Sequence, residues 1–290
     1  MPHISKLPVI ALSLAFVLGH VACKKTADVE TAPAVEEVVA APVSLDDLIA
    51  HPRRSEASKR DKFRNPKDTL EFLGLEPGQN IVEIWPGWYT DILAPYQHAT
   101  GGQYVAVLRP DGLNEYYDAR NAEFKEKYTD SDVYGDISYG ALAKNSYAIA
   151  PAGSADMVLT FRNVHNWMKG GYAQDTFDAF YAALKPGGTL GVVEHRLPES
   201  AEQDPRGRSG YVQESYMKDL AVKAGFEFVG ASEVNANPKD TADHPFGVWT
   251  LPPASKVGTA NRPAPADFNP ELFKNIGESD RATLKFRKPL

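Results

Sequence analysis

Sulfur is scarce in this chain. It carries one cysteine, Cys23, and four methionines in 290 residues. A single cysteine excludes an internal disulfide and a cysteine-based zinc site. The seven histidines form no HExxH pair, and ligand spacing with carboxylates is absent, so no metal site is predicted. No GxSxG elbow is present, which removes serine hydrolysis of the α/β type. No GxGxxG follows any strand-like run, which removes a nicotinamide dehydrogenase. Basic charge is short as well. A formal charge of −7 and a pI near 5.6, with no basic stripe, speak against nucleic acid as a partner.

What is present is ordinary for a folded domain: 43% hydrophobic and 10% aromatic residues, enough to build a sizeable core. The N-terminus is different in kind. Lys6 precedes an apolar run from Leu7 to Leu18, the length of a signal-peptide core and too short to span a bilayer. Val21-Ala22-Cys23 resembles the end of a bacterial lipobox, with His20 where such boxes carry an apolar residue. The alternatives are an ordinary cleaved signal or an uncleaved anchor. The resemblance implies lipidation of Cys23, export, and a place in the bacterial cell envelope facing the periplasm. Residues 24–43, rich in Ala, Val, Glu, Thr and Pro without a period, read as a flexible tether, so the domain spans residues 44–290.

Within that domain the periodicity alternates between strand and helix. Ser44 with Asp47 reads as a capping box, and Asn65-Pro66 starts a helix that stops at Gly74. Buried-type strands are predicted at Asn80–Trp85, Gln103–Leu108, Asp132–Tyr134, Ala155–Phe161, Thr189–Glu194 and Phe226–Ser232, with a last one at Ala282–Arg287. Helices are predicted over Tyr89–Tyr96, Asn114–Tyr128, Gln174–Leu184 and Tyr211–Ala224. A repeated βα unit makes the sheet largely parallel, and a final strand after a long connection can insert antiparallel.

Five pieces carry chemistry, each at a strand end or at the turn entering a strand. They are Ile81-Val-Glu-Ile-Trp-Pro-Gly87, Val133-Tyr-Gly-Asp136, Ala155 to Phe161, Leu184-Lys-Pro-Gly-Gly188 and Val192-Val-Glu194. In this order they resemble class I S-adenosylmethionine-dependent methyltransferases from about Leu70 to Pro289. The runs VEIWPGWYTDILAPY, TFRNVHNWM and IGESDRATLKFRKP resemble, more narrowly, a group of exported bacterial proteins of that superfamily. The resemblance implies an α/β, Rossmann-like, doubly wound and mostly parallel seven-stranded sheet whose last strand is antiparallel. It also implies S-adenosylmethionine as cofactor and methyl transfer to an acceptor it does not name.

By that resemblance Glu83 holds the methionine end of the cofactor, Asp136 accepts from the adenine amine, and Trp85 and Tyr89 face the sulfonium. Gly87 is the only glycine left in a turn that the family usually builds from several. Leu108-Arg109-Pro110 displaces the ribose-binding acid to Asp111. Asn163, His165 and Trp167 follow the fourth strand where the family faces the acceptor. His165 would be a general base there, or else a cap with Trp167 in the core. Glu194 or His195 would reach the acceptor, or pair with an arginine at the rim. Arg60, Asp61 and Arg64 read first as a solvated face and second as a lid. His244–Pro253, with Phe246 and Trp249, either lids the acceptor or packs beneath the sheet. A competing function is a non-catalytic envelope protein that kept the fold and lost the cofactor, for which the shortened turn at Gly87 is the argument.

Overall fold

The computed structural model describes residues 43–290, so the signal, the lipidation site Cys23 and nearly all of the tether lie outside the described residues. The chain enters through α1 (Leu45–Ala50), whose Ser44–Asp47 capping box is made in both directions. Two 3₁₀ turns, Pro52–Arg54 and Ala57–Arg60, lead to α2 (Asp61–Arg64). Next comes α3 (Pro66–Leu73), with proline at its first turn and Gly74 closing it at φ 91°.

The remaining elements alternate. They are β1 (Asn80–Ile84), α4 (Thr90–Thr100), β2 (Gln103–Leu108), α5 (Glu115–Lys127), α6 (Ser131–Tyr134), β3 (Ser138–Ala141) and β4 (Ala155–Phe161). After these come α7 (Val164–Gly170), α8 (Ala173–Ala183), β5 (Leu184–His195), α9 (Glu214–Ala224) and β6 (Glu227–Ser232). A two-residue ladder of β7 (Gly258–Thr259) and β8 (Arg262–Pro263) and the short α10 (Pro270–Ile276) precede β9 (Arg281–Arg287).

Seven strands form one sheet in the order β3-β2-β1-β4-β5-β9-β6. All neighbours are parallel except those of β9, which runs antiparallel between β5 and β6. The order reverses between β1 and β4, and the carboxyl ends of strands at such a switch are where ligands of open α/β sheets bind. Because β9 runs the other way, its first residues lie at that same rim, with Arg281 opposite His195.

Both faces of the sheet are covered, which explains strands that read as continuous apolar runs. Val82, Ile84 and Val158 pack against Trp167, Phe177 and Phe180 of α7 and α8, while Ile81, Met157 and Leu159 pack against Leu70, Leu73 and Ile92 of α3 and α4. By contrast, α5 buries only Asn121 within the helix.

Three expectations change. Asp132–Tyr134 is helical, because the Asp130 carboxylate caps the Asp132 amide and opens a turn, and the third strand begins only at Ser138. The Lys185–Gly188 turn is part of β5, where a register shift against Ala155 and Met157 absorbs it. The helix expected from Tyr211 starts at Glu214.

Trp167 is fully buried and meets Trp85, Phe177 and Phe180 edge to face at 5.5–6.4 Å. Trp167→Ala is expected to lower unfolding free energy by about 3–5 kcal/mol, read as a lower denaturation midpoint in urea at unchanged slope.

Candidate functional site

The turn after β1 is decided by Trp85. The peptide continues the ladder, its amide donating to the Val107 carbonyl at 2.8 Å, and then swings into the left-handed region at φ 47°. A tryptophan there costs about 1–2 kcal/mol. The indole repays this through contacts: Nε1–H donates to the Leu142 carbonyl just beyond β3 at 3.1 Å, and the ring meets Trp167 at 5.7 Å. Arg109, the first residue past β2, sits 3.7 Å over the Trp85 ring and 4.1 Å over the Tyr117 ring. The space above the ends of β1, β2 and β3 is therefore filled by an indole and a guanidinium stacked between two aromatic rings.

Beside this stack lies a groove of about 480 Å³ between the Trp85–Trp88 turn and α5. It is lined by Trp88, Tyr116, Tyr117, Phe124 and Tyr128, and by Gly87 of the turn. Both signs of charge are present: Asp91 pairs with Lys127 at 3.2 Å and Glu123 with Arg120 at 3.2 Å. A Cβ on Gly87 would meet nothing within 4 Å, so the turn is open there. The volume lies in the usual range for small-molecule sites.

Glu83 does not face this groove. It is buried under the turn, accepting from the Tyr104 hydroxyl at 2.6 Å and the Thr90 hydroxyl at 3.1 Å. Burial pushes its carboxyl up to about 7 against the opposing effect of these hydrogen bonds. Asp111 is also turned away, exposed and held by Asn121 at 2.8 Å and Lys125 at 3.3 Å. Its pKa is lowered first by the Asn121 hydrogen bond. Asp136 precedes β3 and so lies at the amino end of that strand, on the opposite rim from Trp85 and Gly87. The three acids do not converge.

The expected acceptor side does converge. Glu194 is fully buried; it holds the His165 ring at Nδ1 (3.2 Å) and accepts from the His165 and His195 amides at 3.3 and 2.9 Å. A carboxylate on Nδ1 selects the tautomer that leaves Nε2 free to take a proton. Trp249 meets the His165 ring edge-on at 5.9 Å, so the segment around it covers this pair. Asn163 is spent on structure, donating to the Ile84 carbonyl at 3.0 Å and tying β4 to β1. Neither His165 nor Glu194 lines the groove, and the Trp85–Trp167 contact stands at the switch from β1 to β4.

The charges on α2 are not a solvated face. Arg64 is 3% exposed, pairs with Glu278 at 3.2 Å and lies 4.7 Å over the Trp88 ring. Sequence reading also missed Arg109, Arg162 and Arg281, because an isolated arginine carries no spacing signal. Among the described residues no group of three or more His, Cys, Asp or Glu is placed to hold a metal ion.

Known structures share this architecture. The [4+2]-cyclase SpnF aligns at a TM-score of 0.50 and 16% identity over 78% of this chain and 80% of its own. The likeness is one of fold: a Rossmann-like, mostly parallel seven-stranded sheet with one antiparallel strand. A methyltransferase from Aquifex aeolicus gives 0.46 and 14% over 67% and 94% of the two chains. Haemonchus contortus phosphoethanolamine N-methyltransferase 2, solved with S-adenosyl-L-methionine, gives 0.48 and 14% over 86% and 60%. No protein-family model matches the chain, and no curated protein matches it.

The fold prefers Glu83 neutral, so its contribution is complete below its ordinary 4.5 and is lost as pH rises through about 7. Glu83→Gln removes that dependence. In urea titrations at about pH 5 and about pH 8, the variant should gain about 2–3 kcal/mol on the native chain between the two.

Proposed function

We propose that this chain is an S-adenosylmethionine-dependent methyltransferase that takes its cofactor in the aromatic groove beside Gly87. The observation that carries the reading is the groove itself, at the carboxyl ends of β1 and β2, of the right size and with a matched donor set. Its aromatic faces suit adenine and a sulfonium, which a π-face favours by about 0.5–2 kcal/mol. Asp91 would hold the amino group of the cofactor's tail and Arg120 its carboxylate. The fit is to the groove, not to the space over β2 and β3 that Trp85 and Arg109 fill.

When bound, the cofactor supplies an electrophilic methyl group. The chain's own part is to position and to exclude water. His165, oriented by Glu194, would remove the acceptor's proton at Nε2, and the Trp249 segment would cover it. On this reading Trp85 must yield for the two sides to meet. The acceptor is a small molecule or an envelope component, and the chain works in the cell envelope, tethered through Cys23. Support for that placement is the N-terminal sequence.

One observation favours a second reading. The filled space over β2 and β3 suits a non-catalytic protein that kept the fold without its cofactor. Calorimetric titration of the chain with S-adenosylmethionine separates the two. The methyltransferase reading expects micromolar binding, weakened about tenfold or more in Asp91→Asn and Tyr117→Ala; no heat at millimolar ligand leaves the non-catalytic reading standing. A mass measurement on the membrane-extracted chain should show a lipid on Cys23, and an unmodified cysteine removes the tether.

A further inference from the structure

Four arginines meet at the rim where β4 ends and β9 begins. Arg60 and Arg64 come from the second 3₁₀ turn and α2, Arg162 from the residue after β4, and Arg281 from the first residue of β9. Arg60, Arg64 and Arg281 all bind one carboxylate, Glu278. The guanidinium of Arg162 has no hydrogen bond among the described residues; burial first, then the charge of Arg281, lowers its pKa to about 10, and Glu278, Arg60 and Glu194 are also within electrostatic range. Glu194 is already spent on His165 and two backbone amides. Four cations face two carboxylates, an excess of two positive charges.

Two of the four guanidinium groups are out of water. Arg64 and Arg281 are 3% and 2% exposed. Each keeps a buried N–H with no partner: one terminal nitrogen of Arg64 and Nε of Arg281, joined by a terminal nitrogen of Arg60. Unpaired buried cations are costly unless an anion answers them. Burial and crowding of like charge shift the protonation equilibria accordingly. Burial first, then Arg162, brings Arg64 down to about 9. Burial would raise the Glu278 carboxyl, but Arg281, Arg64 and Arg60 hold it at about 2. Burial, with His165, Arg281, Arg162 and Arg64, keeps His195 neutral, so it adds no further charge. Arg60 retains 28% of its side-chain surface, and Arg162 is half-buried, so the cluster opens to solvent on one side.

We propose that this arginine cluster is a binding site for a phosphoryl group, a compact dianion held by the unpartnered N–H groups of Arg60, Arg64 and Arg281 and by the Arg162 guanidinium. Two excess charges match a phosphate dianion, and planar guanidinium forks bind phosphate oxygens in pairs. Arg162 is also within electrostatic range of Glu194, the carboxylate that holds the His165 ring. The site goes beyond the groove reading and needs no methyl donor.

The test is titration of the full-length chain with inorganic phosphate at constant ionic strength, read by calorimetry and by thermal unfolding. Saturable binding with a rise in Tm is expected, with no rise for chloride. Arg162→Gln and Arg60→Gln should each weaken phosphate by about tenfold or more while their circular dichroism matches the native chain. Arg208→Gln, whose partner Asp204 lies outside the cluster, should bind as the native chain does. Absence of saturable phosphate binding, or native-like binding in both cluster variants, overturns the site. Glycerol 3-phosphate binding as tightly as phosphate assigns the site to a phosphorylated ligand, whereas binding of inorganic phosphate alone assigns it to the free ion. S-adenosylmethionine binding, measured separately, decides the groove on its own.

Discussion

The rim at the carboxyl ends of β1 and β2 depends on how Trp85 leaves β1. Its left-handed backbone turns the indole across the sheet, where it hydrogen-bonds beyond β3, supports Arg109 and leans on Trp167. One residue therefore links the ends of three strands and the first helix after β4. A glycine in its place would let the chain turn without strain but would leave this space empty. The groove exists beside the stack because the stack fills what lies next to it.

The second constraint is the direction of β9. An antiparallel strand between β5 and β6 brings Glu278, Ser279 and Arg281 to the rim formed by the ends of the parallel strands. Ser279 hydrogen-bonds the His195 ring, and Glu278 gathers three arginines. A parallel strand would have carried these residues to the other edge. The topology thus concentrates positive charge beside a buried carboxylate–histidine pair in a chain whose overall charge is negative. Net charge describes the surface as a whole, and a buried local excess is invisible to it.

The third is the distance kept by α5. Its polar composition gives it little to bury, and Asn121 ties it to the Arg109 carbonyl and to Asp111 at 2.8 Å each. It is held by Asn121, by the Lys127–Asp91 pair, by Tyr117 on Arg109 and by Phe124, not by a continuous apolar face. An amphipathic helix at this position would have closed on α4 and removed the groove.

Much of the fold was legible locally. The Ser44–Asp47 box, the Pro66 start and Gly74 stop, and the apolar runs of β1, β2 and β4 are short-range signals that the structure keeps. The third strand was misplaced because Ser138–Ala141 contains Ser and Gly and has no apolar run, whereas Val133 and Tyr134 do read as strand. The pairing of His165 with Glu194 was half legible, as one follows the end of β4 and the other lies at the end of β5 on the same rim.

The amino-acid sequence by itself determined the alternating strand–helix order, the mostly parallel sheet and the identity of the turn residues, because these follow from periodicity, capping and backbone preference. Only the tertiary structure decided that Glu83 is sealed beneath the turn, that Asp136 lies on the far rim, and that Arg60 pairs with Glu278, 218 residues further along the chain. Those outcomes depend on which way each strand runs and on what packs above its end, and no local pattern encodes either.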